Sequence, residues 1–199
     1  MADDKRGREK QAQDADNRQR ERDIVAELER QDEVEPPVEE DELDEFEGEL
    51  ESLEFPVTGD EVVAAVGDRE IESADGPYRV TELVPETATQ QFATPSAVRV
   101  RVQRPSIAAA MKRIVEANAS HNTERLGESQ WEAYEKTLRE LKAIDADDDD
   151  EGIQVLTDWI VDQITDDETL PNSRAVRREA AKFCRANGYQ VRNDEWLGV

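Results

Sequence analysis

The stretch FPVTGDEVVAAVGDREIE at residues 55–72 decides the fold, because it carries both boundary signals of one short helix. Thr58 followed by Glu61 forms a capping box, in which the two side chains satisfy backbone amides at a helix N-terminus. Phe55 lies where an apolar side chain can staple onto the first turns of that helix. Gly67 follows the apolar run EVVAAV, as expected just past a helix C-terminus. The stretch therefore predicts a helix with which a folded unit begins.

A small hairpin is predicted directly after this helix. Ile71 lies on one short segment, and Tyr78 with Val80 lies on the next. The letters SADG join the two segments, and Asp75 with Gly76 supplies the residue pair that tight hairpin turns prefer.

The stretch TPSAVRVRVQRP, which begins at Thr94, fits two structures. Valine alternates with arginine along it, and this alternation favours a strand over residues 97–103. Pro95 after Thr94 is also a good start for a helix, so the alternative stays open. In both structures we expect Arg99 and Arg101 to be exposed.

Four helices are predicted from Pro105 onward, because apolar residues there recur at three- and four-residue spacing. The second follows a capping box of Ser129 and Glu132, and the fourth begins near Asn172 or Ser173. The residues expected in the core of the first three helices are Ile107, Ala110, Met111, Ile114, Val115, Trp131, Tyr134, Leu138, Leu141, Ile153, Leu156, Trp159, Ile160 and Ile164.

The N-terminal part is too charged to indicate a folded domain. Residues 31–54 contain 13 acidic residues, no basic residue and two prolines, and we interpret them as a solvated acidic linker. The alternative is that Phe46, Leu50 and Leu53, at helical spacing, form a short amphipathic helix that folds on a partner or on the next domain.

The expected organisation has three parts. Residues 1–54 form a disordered charged arm and acidic linker, residues 55–104 a small α+β unit, and residues 105–199 a helical unit. The fold class is thus α+β and mainly α: a small helix-plus-hairpin unit, then a four-helix C-terminal unit, with a disordered acidic N-terminal arm.

The charge of the chain indicates its solvent. The 199 residues include 50 Asp and Glu against 25 Lys and Arg, a formal net charge of −25, and arginine outnumbers lysine by 19 to 6. Hydrated carboxylates keep a protein soluble in molar salt, where the Debye length falls to about 3 Å. We therefore expect a halophilic, cytosolic protein, and the absence of any long apolar run argues against export or a membrane span.

The last predicted helix reverses this sign. Residues 145–170 carry 11 acids and no base, whereas residues 171–199 carry 6 bases and 3 acids. At 100° per residue, Val176, Ala180, Phe183 and Cys184 fall on one side of the helix. The opposite side, which we call the basic face, consists of Arg174, Arg177, Arg178, Lys182 and Arg185.

Two interpretations of the basic face remain open. It can bind a partner, because guanidinium groups make bidentate bonds to carboxylates and phosphates. It can instead pair within the chain, with the acidic run 145–151 or with Asp166, Asp167 and Glu168.

No catalytic, cofactor or metal site emerges from the sequence. His121 is the only histidine and lies in a polar loop, and Cys184, the only cysteine, lies on the apolar side of a helix. The run DADDDDEG places acids at calcium-loop positions counted from Asp147, but the bidentate glutamate of such loops is replaced by Asp158. We therefore expect no metal site, no cofactor and no enzymatic activity.

Four strings together resemble a family of uncharacterised proteins from halophilic archaea: FPVTGDEVVAAVGDREIE, VRVRVQRPSIAAAMKRIVE, ELKAIDADDDDEG and LPNSRAVRREAAKFCRANGYQVRNDEWLGV. The resemblance covers most of the chain and implies a domain of unknown function. It carries over no catalytic or binding residue. The function expected from the residues is a non-enzymatic adaptor that binds a protein partner through the basic face and through the Phe46–Leu53 segment. The alternative is a nucleic-acid-associated regulator whose basic face contacts phosphates.

Overall fold

Eight helices and four two-residue strands make up the described part of the chain in a computed structural model, which covers residues 37–121, 126–144 and 150–189. In chain order they are α1 (Glu40–Leu50), β1 (Val57–Thr58), α2 (Gly59–Val66), β2 (Glu70–Ile71), β3 (Tyr78–Arg79), α3 (Val80–Leu83), β4 (Gln91–Phe92), α4 (Pro95–Val102), α5 (Pro105–Ser120), α6 (Glu128–Ile144), α7 (Glu151–Asp166) and α8 (Ser173–Ala186). This confirms the α+β, mainly α fold class. The predicted disorder of residues 1–36 lies outside the described residues.

Helix α2 begins at the predicted capping box. The Thr58 amide donates to Glu61 Oε2 at 2.7 Å, and the Glu61 amide donates to Thr58 Oγ1 at 3.3 Å. Helix α2 ends at Gly67, whose amide donates to the Val63 carbonyl. Both boundary predictions are confirmed, because capping satisfies amides that the helix itself leaves without partners.

The strands form two short antiparallel pairs. β2 pairs with β3, with Ile71 opposite Tyr78, which confirms the hairpin. Val80, predicted on its second segment, is instead the first residue of α3. The hairpin turn contains Gly76 at a φ of 110°, a conformation that glycine adopts without steric cost. The second pair, β1 with β4, joins residues more than thirty positions apart and was not predicted.

Helix α1 corrects the interpretation of residues 31–54 as a solvated linker. Leu43, Phe46 and Leu50 fall on one side of it and are buried at 5%, 0% and 0% exposure. Burying three such side chains contributes roughly 1.5–3 kcal/mol each. The alternative prediction, an amphipathic helix that folds on the next domain, describes the structure over these residues.

Helix α4 corrects the preferred strand over residues 97–103. Thr94 caps it by accepting from the Ala97 amide, and proline occupies the first turn. A helix places Val98 and Val102 on one side, where both are buried, and turns Val100 outward, where it is 49% exposed. The capping signal therefore outweighed the alternation of valine and arginine.

A single core, which we call the N-terminal core, joins α1 to the strands and α2–α4. Its buried members are Val38, Leu43, Phe46, Leu50, Val57, Val62, Ile71, Val80, Leu83, Val84, Phe92, Val98, Val102 and Ala108.

Helices α5–α8 form the second core, the helical core, in which α5 packs along α7 and α8 packs against α6 and α7. Every predicted stripe residue of the first three of these helices is buried except Trp159, which is half-buried. The predicted capping box at Ser129 is wrong, because α6 already begins at Glu128 and Ser129 lies within its first turn.

The two cores meet at α5 and at a polar cluster beside it. On α5, Ile107 belongs to the helical core and the next residue, Ala108, to the N-terminal core. Beside it, the Arg101 guanidinium lies 4.2 Å from the centroid of the Trp131 ring. Glu135 Oε2 accepts from both Arg101 Nη1 and Trp131 Nε1 at 3.0 Å. This cluster ties α4 of the N-terminal core to α6 of the helical core.

Candidate partner-binding face of the last helix

Helix α8 is built as the sequence predicts. Asn172 caps its first turn by accepting from the Ala175 amide at 3.0 Å. Val176, Ala180, Ala181 and Cys184 are buried, and these side chains fix which side of the helix faces the core.

The opposite side is exposed and basic, but its five members differ. Arg174, Arg178, Lys182 and Arg185 are exposed, whereas Arg177 is half-buried and its Nε donates to the Ser173 carbonyl at 3.3 Å. Lys182 pairs with Glu179, one turn earlier, at 2.8 Å.

Three arginines remain, and we call them the arginine stripe: Arg174, Arg178 and Arg185. In the described residues no carboxylate forms an ion pair with any of the three. Within those residues, the predicted pairing with Asp166, Asp167 or Glu168 is therefore not observed for the stripe. Residues 145–149 of the acidic run lie outside the described residues.

Other arginines of the chain show what an ordinary environment looks like in so acidic a protein. Arg69 contacts Glu42 at 3.0 Å and Glu49 at 2.9 Å, and Arg113 contacts Asp158 at 2.6 Å. The arginine stripe differs from Arg69 and Arg113, because its three exposed guanidinium groups have no carboxylate partner among the described residues.

The stripe has a regular geometry. At 100° per residue its members lie within a sector of about 40° around the helix axis, and the first and last lie about 16 Å apart along it. A guanidinium group presents its donors in a planar fork that matches a carboxylate or a phosphate. The stripe can therefore engage a row of anions on a partner without disturbing the core.

Sites of other chemistry are not assembled in the described residues. Cys184 is buried there, and His121 Nδ1 lies 3.0 Å from the Ala117 carbonyl of its own helix. No cluster of three His, Cys, Asp or Glu side chains suited to a metal occurs within residues 37–121, 126–144 and 150–189. Asp147 and Asp149 of the rejected calcium loop are outside these ranges. In the same ranges no helix is long and apolar enough to cross a bilayer.

Sequence reasoning missed a second set of functional candidates, the arginines that hold α1. Arg99 Nη1 contacts Asp44 Oδ1 at 2.7 Å and Glu47 Oε2 at 3.0 Å, and Ser96 Oγ donates to Glu47 as well. The hydrogen bonds from Ser96 and Arg99 lower the pKa of Glu47. Arg99 and Arg101 are thus half-buried ion-pair partners, and their predicted exposure is wrong. The signal that could have identified these arginines is the acidic pattern of α1, because a folded helix with so many carboxylates is expected to pair with basic side chains nearby.

Comparison with known proteins shows that part of this chain is similar to one family. Residues 41–113 match the model of a family described as "Family of unknown function (DUF5789)". The match runs from within α1 to within α5, and it confirms the resemblance to a family of unknown function. Its description names no activity, and the origin from halophilic archaea stays a prediction. Searches of curated proteins and of solved structures found no match to the chain.

Proposed function

We propose that the protein is a non-enzymatic interaction module that binds an acidic surface of a partner protein through the arginine stripe of α8. The observation that carries this proposal is the exposure of Arg174, Arg178 and Arg185 without a paired carboxylate in the described residues. In a chain of net charge −25 carboxylates are abundant, yet none of those in the described ranges pairs with the stripe.

Physical chemistry supports a protein partner over a nucleic acid. Phosphate contacts made by charge alone weaken steeply with salt, and the strongly negative remainder of the chain repels a polyanion at long range. A folded partner can add apolar and hydrogen-bonded contacts around each arginine, and these are less sensitive to salt.

The test is a pull-down from a lysate of the native host, with the full chain as bait and with or without nuclease. The full chain is required because α1 belongs to the N-terminal core, and a truncation at residue 55 would remove it. The stripe variant is Arg174→Glu with Arg178→Glu. The matched control is Arg79→Glu with Arg113→Glu, which changes the net charge equally at two exposed arginines elsewhere.

The expected result is a nuclease-resistant protein partner that the stripe variant loses and the control keeps. Recovery that nuclease abolishes would instead assign the stripe to nucleic acid. Equal recovery by the stripe variant and the wild type would refute a role for the stripe in binding. Circular dichroism of each variant establishes that the fold is intact.

A further inference from the structure

The groove beneath α1 has the features of a binding site for an acidic helix. Its floor is apolar: α1 packs against α2 and α4, and Val62 of α2 with Val98 and Val102 of α4 are fully buried in the core that these helices share. Its two rims are basic: Arg69 binds Glu42 and Glu49 on one side of α1, and Arg99 binds the carboxylates on the other.

Helix α1 is poorly suited to stand as a helix without this groove. Seven of its 11 residues are acidic and none is basic, so like charges repel along the helix. The acids of the first turn favour the helix dipole, but those of the last turn oppose it, and in the described part of the chain Glu39 makes no side-chain capping bond. Gly48 lowers helix propensity further, and an added Cβ there would meet no atom of the described residues within 4 Å.

The contacts that the groove makes do not require α1 in particular. The helix is held by contacts that any helix of the same pattern can make: apolar residues at positions i, i+3 and i+7, as in Leu43, Phe46 and Leu50, with carboxylates on both flanks. An apolar floor between two arginine rims selects this chemistry through charge complementarity.

We propose that the groove beneath α1 binds an acidic amphipathic helix of a partner protein, which takes the place that α1 occupies within the chain. Helix α1 then competes with the partner helix for the groove within the same chain. Because a short tether gives α1 an effective concentration on the order of millimolar, the partner helix must bind tightly enough to displace it. The groove is distinct from the arginine stripe and does not depend on the function proposed for it.

The test uses one peptide and two substitutions at a single position. The probe is a fluorescent peptide of residues 38–54, and its binding to the full chain is followed by anisotropy. Gly48→Pro breaks α1 without changing a buried side chain of the groove, and Gly48→Ala strengthens α1. We expect the peptide to bind Gly48→Pro at least about tenfold more tightly than the wild type, and Gly48→Ala about fivefold more weakly.

Two controls locate the binding site. A peptide with Phe46→Ala and Leu50→Ala keeps every carboxylate, and it should bind at least about tenfold more weakly if the apolar floor is used. The stripe variant Arg174→Glu with Arg178→Glu should bind the original peptide as the wild type does.

Three results would overturn the proposal. The first is that the peptide binds the wild type, Gly48→Pro and Gly48→Ala with equal affinity. The others are that the stripe variant loses peptide binding, or that folded Gly48→Pro binds no peptide at millimolar concentration. If circular dichroism shows that Gly48→Pro is unfolded, the peptide affinities of the wild type and of Gly48→Ala are compared instead. In that case absence of binding to the wild type also overturns the proposal. A dimer of the full chain that the peptide dissociates would make a second copy the occupant and would refute the assignment to a different protein.

Discussion

Replacing Gly59 with alanine probes the close contact between the start of α2 and the loop after α3. A Cβ at Gly59 would lie 1.9 Å from the carbonyl oxygen of Pro85 and 3.3 Å from that of Thr87. Since non-bonded heavy atoms approach no closer than about 3.4 Å without repulsion, one backbone segment must move by about 1.5 Å.

Both segments are tied in place. The Gly59 amide donates to the Gln90 carbonyl at 3.0 Å, and the Glu86 amide donates to the carboxylate of Glu116 at 2.8 Å. Moving either segment breaks the hydrogen bond that ties it, which costs about 1 kcal/mol, and strain from overpacking adds about 1–3 kcal/mol. We therefore expect Gly59→Ala to lower the free energy of unfolding by about 2–4 kcal/mol.

The assay is urea unfolding of the full chain, because urea leaves the ionic strength unchanged whereas guanidinium screens the charges. Gly48→Ala is the matched control: it adds the same methyl group in open space within a helix and should stabilise by up to about 1 kcal/mol. A Gly59→Ala chain within about 0.5 kcal/mol of the wild type would refute the steric reasoning.

Three further measurements follow from the structure. Glu135→Gln removes the charge that Arg101 and Trp131 share, and should destabilise by about 1–3 kcal/mol in urea unfolding; an unchanged midpoint would show that the cluster does not tie the two cores. Burial raises the pKa of Tyr134 to about 12, against 10.0 for an ordinary tyrosine. Below pH 10 this shift does not change stability. Between pH 10 and 12 the unfolded chain loses the proton first, so the free energy of unfolding should fall. Tyr134→Phe should show a smaller fall, and not its absence, since burial also raises the pKa of Tyr78. Finally, screening of the net charge of −25 should raise the melting temperature between about 0.1 and about 1 M KCl, and a decrease would contradict the prediction that the protein is halophilic.

Local signals in the sequence predicted most of the elements. The capping box at Thr58, the hairpin turn at Gly76 and the cap at Asn172 each depend on a few neighbouring residues, and all three are present. The apolar stripes of α5–α7 were predictable for the same reason, since helical spacing is itself a local property.

Two errors occurred where distant residues decide the structure. The acidity of α1 is offset by Arg69 and Arg99, and neither is near it in the chain, so composition alone indicated a linker. The pairing of β1 with β4 likewise depends on tertiary contacts. At the candidate site, periodicity identified all five basic residues of α8, but only the structure separates Arg177 from the exposed stripe.

Because α5 contributes to both cores, it affects where the chain can be cut into separate parts. The segment that matches the family ends at residue 113, in the middle of this helix, and not in a connecting loop. Ala108 faces the part that the family describes, and Ile107 faces the part that lies beyond it. The seam therefore runs lengthwise along one helix, so recombination or truncation at this boundary would split a hydrophobic interface. We expect the helices that follow to unfold together with the segment as one cooperative body, since a cut at this point leaves neither half with an intact core.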